Sequence, residues 1–175
     1  MTMHDRPPET DADESLTHFD EAGAAHMVNV GGKPISHRIA VAEAFVTAAP
    51  DTIRRIRSGE TSKGDVLAVA RLAGIMGSKR TADLIPLCHP LPLDTVSITF
   101  EFSDDGDDQP PLRILATAEV QARTGIEMEA LTAAMTAALT IYDMVKAIDR
   151  GVEIGPIRLV EKRGGRSGHW KRTAD

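Results

Sequence analysis

The chain has 175 residues, 42% of them hydrophobic and 3% aromatic, with a formal net charge of −6. That length suits one domain whose core must be built from Ala, Val, Ile, Leu and Met. No apolar run approaches the roughly 20 residues of a membrane helix, the polar acidic start is unlike a signal peptide, and the single Cys88 excludes an intrachain disulfide framework and fits a reducing, cytoplasmic compartment.

Residues 1–15 hold five acids and one Arg without apolar periodicity, which predicts a disordered acidic leader ahead of one domain spanning 16–172. From Ile35 to Val46 the pattern predicts a strand, with Ile35, Ile39, Val41 and Phe45 on one face and Arg38 on the other. Pro50 suits the first turn of a short helix through Ile53 and Ile56, closed by Gly59. Asp65 is an N-cap for a second helix to about Gly77, whose apolar face reads as Val69, Leu72, Ala73 and Met76. Thr95 to Phe102 and Leu112 to Ala122 alternate cleanly and predict an antiparallel hairpin around the acidic stretch 103–109. Thr124 and Glu127 read as a capping box opening a long helix to about Asp149. Gly151, Gly155 and Pro156 should stop it, with a last strand at Ile157 to Val160. The long helix carries small residues (Ala130, Ala133, Ala134, Ala137, Ala138) and a second stripe (Met128, Leu131, Met135, Leu139, Tyr142). A helix apolar on most sides is buried on most sides, so subunit contacts are expected. The architecture predicted is an α+β sandwich, helices against a mainly antiparallel sheet.

Charge is unevenly placed. Stretches 1–15 and 103–109 each carry a net −4, so the remaining residues hold +2, and residues 161–172 carry five bases against one acid. A phosphorylated small molecule is therefore compatible with the overall negative charge. Nucleic acid is not expected, because there is no long basic face and little aromatic stacking surface.

Several segments are candidates for chemistry. Lys63 precedes a helix N-terminus, where free N–H groups favour a phosphate, although on this motif alone, which lacks the glycine pattern of a P-loop, a solvated lysine beside an ordinary cap is the stronger reading. Ile85 to Leu93 contains three prolines, which fix an extended path suited to reading a flat heterocycle edge; a hydrogen-bonded His89 in a buried connector is the plainer reading. Cys88 and His89 lack the spaced partners of a metal site. Asp143 and Lys146 share a helical face. If the apolar stripe desolvates Lys146, its lowered pKa would suit general acid/base work, against the alternative of a surface ion pair. Glu129 lies fourteen residues before Asp143, about 21 Å along a straight helix, so one small ligand reaches both only if it is nucleotide-sized or the site is shared between subunits. Residues 161–168 combine glycines with three bases, an anion loop or a flexible tail.

Together these segments resemble the MoaC family, the cyclic pyranopterin monophosphate synthases of molybdenum cofactor biosynthesis. The likeness runs from about Leu16 to Lys171. It is carried by Ala25-His26-Met27-Val28, Lys63-Gly64-Asp65-Val66, Asp83-Leu84-Ile85-Pro86-Leu87-Cys88-His89-Pro90-Leu91, Gly125-Ile126-Glu127-Met128-Glu129-Ala130-Leu131-Thr132 and Ala138-Leu139-Thr140-Ile141-Tyr142-Asp143-Met144. The resemblance implies a ferredoxin-like fold and a homohexamer, a trimer of dimers with interfacial sites. It implies conversion of 3′,8-cyclo-7,8-dihydroguanosine triphosphate, supplied by a radical SAM enzyme, to cyclic pyranopterin monophosphate with loss of pyrophosphate, and no cofactor or metal. It places catalysis on Asp143, Lys146 and Lys63, and substrate contacts on Leu87, Cys88, His89, Met128 and Glu129, with Arg38 and Lys162 near the triphosphate. Arg166 departs from the lysine common in the family's glycine loop. A metal-dependent phosphohydrolase using Cys88 and His89, and a nucleotide-binding module without activity, are the competing readings.

Overall fold

The computed structural model describes residues 22–59, 61, 64–102 and 111–173. Lys63, the acidic leader and the stretch 103–109 lie outside them. Chain order is β1 (Ser36–Thr47), α1 (Pro50–Ser58), α2 (Val66–Ser78), α3 (Thr81–Leu84), β2 (Thr95–Glu101), β3 (Leu112–Ala122), α4 (Glu127–Val145), β4 (Glu153–Arg163) and β5 (Trp170–Lys171). The sheet order is β2-β3-β1-β4-β5, antiparallel throughout. A β-α-β-β-α-β succession with β3 between β1 and β2 is the ferredoxin-like arrangement, here with β5 added at one edge. The α+β sandwich and the β2–β3 hairpin read from the sequence are both present. Among the described residues no helix is long and apolar enough to cross a membrane.

Local chemistry explains the helix ends. Pro50 opens α1, and Gly59 closes it in the left-handed region at φ 73°. The Asp65 carboxylate accepts from the Ala68 amide at 2.9 Å, capping α2. The capping box of Thr124 and Glu127 does not form. Ile126 occupies the α4 N-cap without a side-chain cap, and Glu127 turns instead to Lys162. The helix stops at Val145, not Asp149, whose carboxylate accepts from the Ala49 and Gly151 amides. Strand β4 is longer than expected: Gly155 and Pro156 lie inside it, where its register against β1 is irregular, a position that tolerates the missing proline N–H.

Which face is buried also differs from the reading above. On β1 the covered residues are Ala40, Ala42, Ala44 and Val46, while Ile39, Val41 and Phe45 take the opposite, half-buried face. On α2 they are Val66, Ala70, Gly74 and Ser78; Val69, Leu72 and Met76 are exposed. On α4 the alanine face is completely buried, and Met128, Met135 and Leu139 look outward. One cause serves all three. Ala40 and Ala42 pair across the sheet with Ala118 and Ala116, so α4 can approach where side chains are smallest. Gly74 permits α2 the same approach: a Cβ there would sit 2.8 Å from the Ala133 carbonyl oxygen and also strike Ile98. Close packing of small groups outcompetes burial of the larger ones in the single chain.

Candidate active site

Three neighbouring concavities meet at Gly125, just before α4. The first, about 610 Å³, is walled by Pro86, Leu87, Cys88 and His89 on one side and by Glu127 and Met128 on the other. Helix α3 delivers the first wall: the Ile85 amide bonds to the Thr81 carbonyl at 2.9 Å and the Cys88 amide to the Ile85 carbonyl at 3.0 Å. These bonds turn the proline-rich path toward α4. The Cys88 thiol donates to Glu129 Oε1 at 3.6 Å. Glu129 is 2% exposed, and its Oε2 has no hydrogen-bond partner among the described residues. Burial, with a smaller push from Glu127, raises the Glu129 carboxyl above its ordinary value despite the opposing Cys88 bond. Burial and the Glu129 charge push the Cys88 thiol up to about 11. A buried carboxylate oxygen without a donor costs free energy that a ligand N–H can recover.

The second concavity, about 700 Å³, is lined among the described residues by four cations, Lys33, Arg38, Arg123 and Arg166, and by no carboxylate. Among the described residues none of the four forms an ion pair with Asp or Glu. Arg38 donates through Nε to the Ala122 carbonyl at 3.1 Å, which fixes the guanidinium beside the cavity. Gly165, at φ 74°, lies against that guanidinium so closely that a Cβ would come within 2.9 Å of Arg38 Cζ. The Ser36 hydroxyl on the same wall is buried without a partner among the described residues. Four uncompensated cations around a cleft make a strong positive potential, suited to a polyanion.

The third, smaller space joins the other two. Here Lys162 donates to Glu127 Oε1 at 3.0 Å, each side chain about a quarter exposed. The Glu127 carboxylate is folded over Gly125, where a Cβ would approach its Oε1 to 2.8 Å. A side chain at 125 would displace it.

The structure therefore brings Leu87, Cys88, His89, Met128, Glu129, Arg38 and Lys162 to one region. Asp143 and Lys146 are elsewhere, near the other end of α4. Their contact is short, Nζ to Oδ1 at 2.6 Å, and both are more than half exposed. The expectation of a desolvated Lys146 with a lowered pKa does not hold in the protomer: the Asp143 bond and charge raise it. The apolar stripe that was to bury it faces outward, because the alanine face holds the interior. Lys33 and Arg123 were not singled out in the sequence. For Lys33 a signal was present in Gly31-Gly32-Lys33, which resembles Gly164-Gly165-Arg166 on the same cavity; Arg123 carried none. Among the described residues no three His, Cys, Asp or Glu side chains group as metal ligands would.

Fold and site define an α+β domain with a cationic pocket beside a pocket whose wall residue Cys88 is bonded to the buried carboxylate Glu129. Residues 27–165 match the MoaC family model. The chain is 56% identical over 160 residues to a protein of Thermomicrobium roseum named cyclic pyranopterin monophosphate synthase, covering 91% of this chain and 95% of that one. Proteins of the same name from Novosphingobium aromaticivorans and Dinoroseobacter shibae are each 56% identical over 156 residues, 89% of this chain and 96% and 97% of theirs. The chain belongs to the MoaC family.

Proposed function

We propose that this chain catalyses the reaction for which those relatives are named, converting 3′,8-cyclo-7,8-dihydroguanosine triphosphate to cyclic pyranopterin monophosphate and pyrophosphate in molybdenum cofactor biosynthesis. The observation that carries the reading is the cavity of Lys33, Arg38, Arg123 and Arg166, without a carboxylate among the described residues, contiguous with the pocket of Cys88, His89 and Met128. A triphosphate needs the first, and a guanine-like N–H edge suits the Glu129 oxygen that lies behind the Cys88 wall of the second without a partner among the described residues. Closing the cyclic phosphate forms a P–O bond to the α-phosphorus and expels pyrophosphate, whose charge Arg38 and Lys162 stabilise. Lys63 joins them in this reading.

Asp143 and Lys146 are assigned the proton transfers, Lys146 as acid and Asp143 as its orienting partner. Because about 21 Å of helix separates Asp143 from Glu129, a second copy must bring its own α4 terminus to the pocket. We assign a homohexamer, a trimer of dimers, supported by Leu72, Met76 and Leu139, which are 61%, 60% and 52% exposed. Contact with that copy would also desolvate Lys146. A cytoplasmic location fits the single thiol, and residues 16–172 are taken as the catalytic domain.

Incubation of the purified chain with the cyclised GTP derivative tests the activity: pyrophosphate and an oxidisable pterin are expected, and release of neither overturns it. Sedimentation tests the assembly, and an active monomer at micromolar concentration would refute it.

A further inference from the structure

Near its end β4 gives two neighbouring side chains different tasks. Lys162 reaches Glu127 beside the pockets, and Glu161, on the opposite face of the strand, gathers two donors on one oxygen. Arg163 donates through Nε to Glu161 Oε1, and His169 Nε2 donates to the same atom at 2.8 Å. Arg163 is the last residue of β4 and His169 immediately precedes β5. A single carboxylate oxygen therefore ties the two ends of the segment Gly164-Gly165-Arg166-Ser167-Gly168. That segment walls the cationic cavity through Gly165, Arg166 and Ser167. Its path needs glycine, since Gly164, Gly165 and Gly168 lie at φ 92°, 74° and 64°. The Gly168 amide closes a turn on the Gly165 carbonyl at 3.2 Å, and a Cβ on Gly164 would collide with the His37 carbonyl.

We propose that Glu161 is a positioning residue: by tying both ends of the 164–168 loop it holds Arg166 at the cationic cavity before an anion arrives. The inference rests on the proposed reaction only for the identity of that anion. The plainer reading is a surface clasp that helps the β4–β5 hairpin to form. Backbone pairing already forms it, with Glu161 opposite Lys171, Lys162 opposite Trp170, and the Arg172 amide on the Val160 carbonyl at 2.8 Å. What the side-chain bonds add lies beyond that ladder, in the loop. Glycine-rich backbone loses the most freedom when it is fixed. Ordering such a loop on binding would weaken affinity, whereas a loop ordered in advance preserves it. The acceptor is well placed for this, because the Glu161 side chain is 14% exposed while Arg163 and His169 are 58% and 55% exposed. Two mobile surface donors are thus held by one nearly covered carboxylate.

The test compares the full-length chain with Glu161→Ala, Glu161→Gln, His169→Phe, Arg166→Gln and the double variant of Glu161→Ala with Arg166→Gln. Calorimetry gives the Kd for inorganic pyrophosphate, mass spectrometry the rate of tryptic cleavage after Arg166, and kinetics KM and kcat on the cyclised GTP derivative. Arg166→Gln should raise Kd about tenfold, the loss of one charge-assisted hydrogen bond. Glu161→Ala should raise Kd and KM by a smaller factor with kcat little changed, and should speed cleavage severalfold. Glu161→Gln keeps an acceptor oxygen and should fall between Ala and wild type. The double variant should bind pyrophosphate as Arg166→Gln does, because Glu161 acts through Arg166. A lowered melting temperature with unchanged Kd and cleavage would leave Glu161 a structural clasp and overturn the proposal. Losses that multiply in the double variant overturn it as well. Should Glu161→Ala not fold, His169→Phe, altered at an exposed position, decides by the same Kd and cleavage rate. Wild type that binds pyrophosphate but turns over no substrate fails the proposed reaction instead, and the loop is still judged by Kd and cleavage.

Discussion

Lys162 and Glu127 are paired at 3.0 Å at the boundary between the cationic cavity and α4, so a cation assigned to the substrate already has a counterion. Anion binding must then compete with Glu127 for Lys162, or draw the pair apart. Glu127→Gln should lower the inhibition constant of pyrophosphate severalfold, since the neutral amide no longer offsets the ammonium. An unchanged or raised constant would mean that Lys162 does not meet the anion.

For Lys146, substitution by Ala should lower turnover by about 10²–10⁴-fold, the usual contribution of a proton-transfer group, with pyrophosphate binding retained. Lys146→Arg should be nearly as slow, because a guanidinium keeps the charge without releasing its proton near neutral pH. Retention of most of the rate by the Arg variant would make Lys146 an electrostatic clamp. The Asp143 bond holds the lysine pKa above its ordinary value. Asp143→Asn should accordingly move the alkaline limb of the kcat profile to lower pH, and a limb that stays in place would separate Lys146 from it.

The thiol of Cys88 is held protonated by burial and by Glu129, up to about 11. Thiolate is the reactive form, so alkylation by iodoacetamide at pH 8.5 should be slow compared with an exposed cysteine. Glu129→Gln removes the negative charge and replaces one of the two acceptor oxygens by an NH2 donor, and should accelerate alkylation severalfold. Equal rates in the two proteins would show that Glu129 does not control the thiol.

On the sheet face opposite the helices, Glu43 accepts from Arg113 Nε at 2.7 Å and from Arg158 Nε at 2.6 Å, while being 3% exposed. Burial pushes its pKa up, but the two arginines outweigh that and hold it below the ordinary 4.5. A carboxylate lowered on folding stabilises the folded state fully above its unfolded value. That stability should disappear as pH falls from about 4.5 through the lower folded value. Glu43→Gln should cost about 2–3 kcal/mol at pH 7, less than a fully buried pair because both arginines are about a third exposed. Denaturant titrations at pH 7 and pH 3 check both points: the variant's deficit should shrink at the lower pH, and a constant deficit would rule out the charge as its cause.

The elements that sequence reading found are those fixed by neighbours in the chain. Asp65 caps the amide three residues on, Pro50 presets its own φ, and Val96, Ile98 and Phe100 alternate whatever lies beyond them. Face selection was different. Helix α2 carries two stripes able to face inward, and the choice of Ala70 and Gly74 over Leu72 and Met76 was made by α4, some sixty residues later. The exposure of Lys146 in the protomer follows from the same choice, since it depends on which stripe of α4 turns inward. The site divides likewise. Cys88, His89 and Glu129 could be gathered from recognisable segments, whereas the Lys33–Arg123 bond joins residues ninety apart that no local pattern relates.

The alanine face of α4 over Ala40, Ala42, Ala116 and Ala118 carries a lesson about inherited variation. At each of these positions every amino acid except glycine is larger than the one present, so mutation can fill space here but can scarcely open it. Overpacking typically costs 1–3 kcal/mol, a large share of a domain's total stability. Single enlargements will thus be removed by selection unless a facing residue shrinks first, and at alanine the one smaller choice is glycine, which weakens helix and strand alike. Sequence drift is steered away from this interior toward the outward stripe of Leu72, Met76 and Leu139, where size is unconstrained within a single chain.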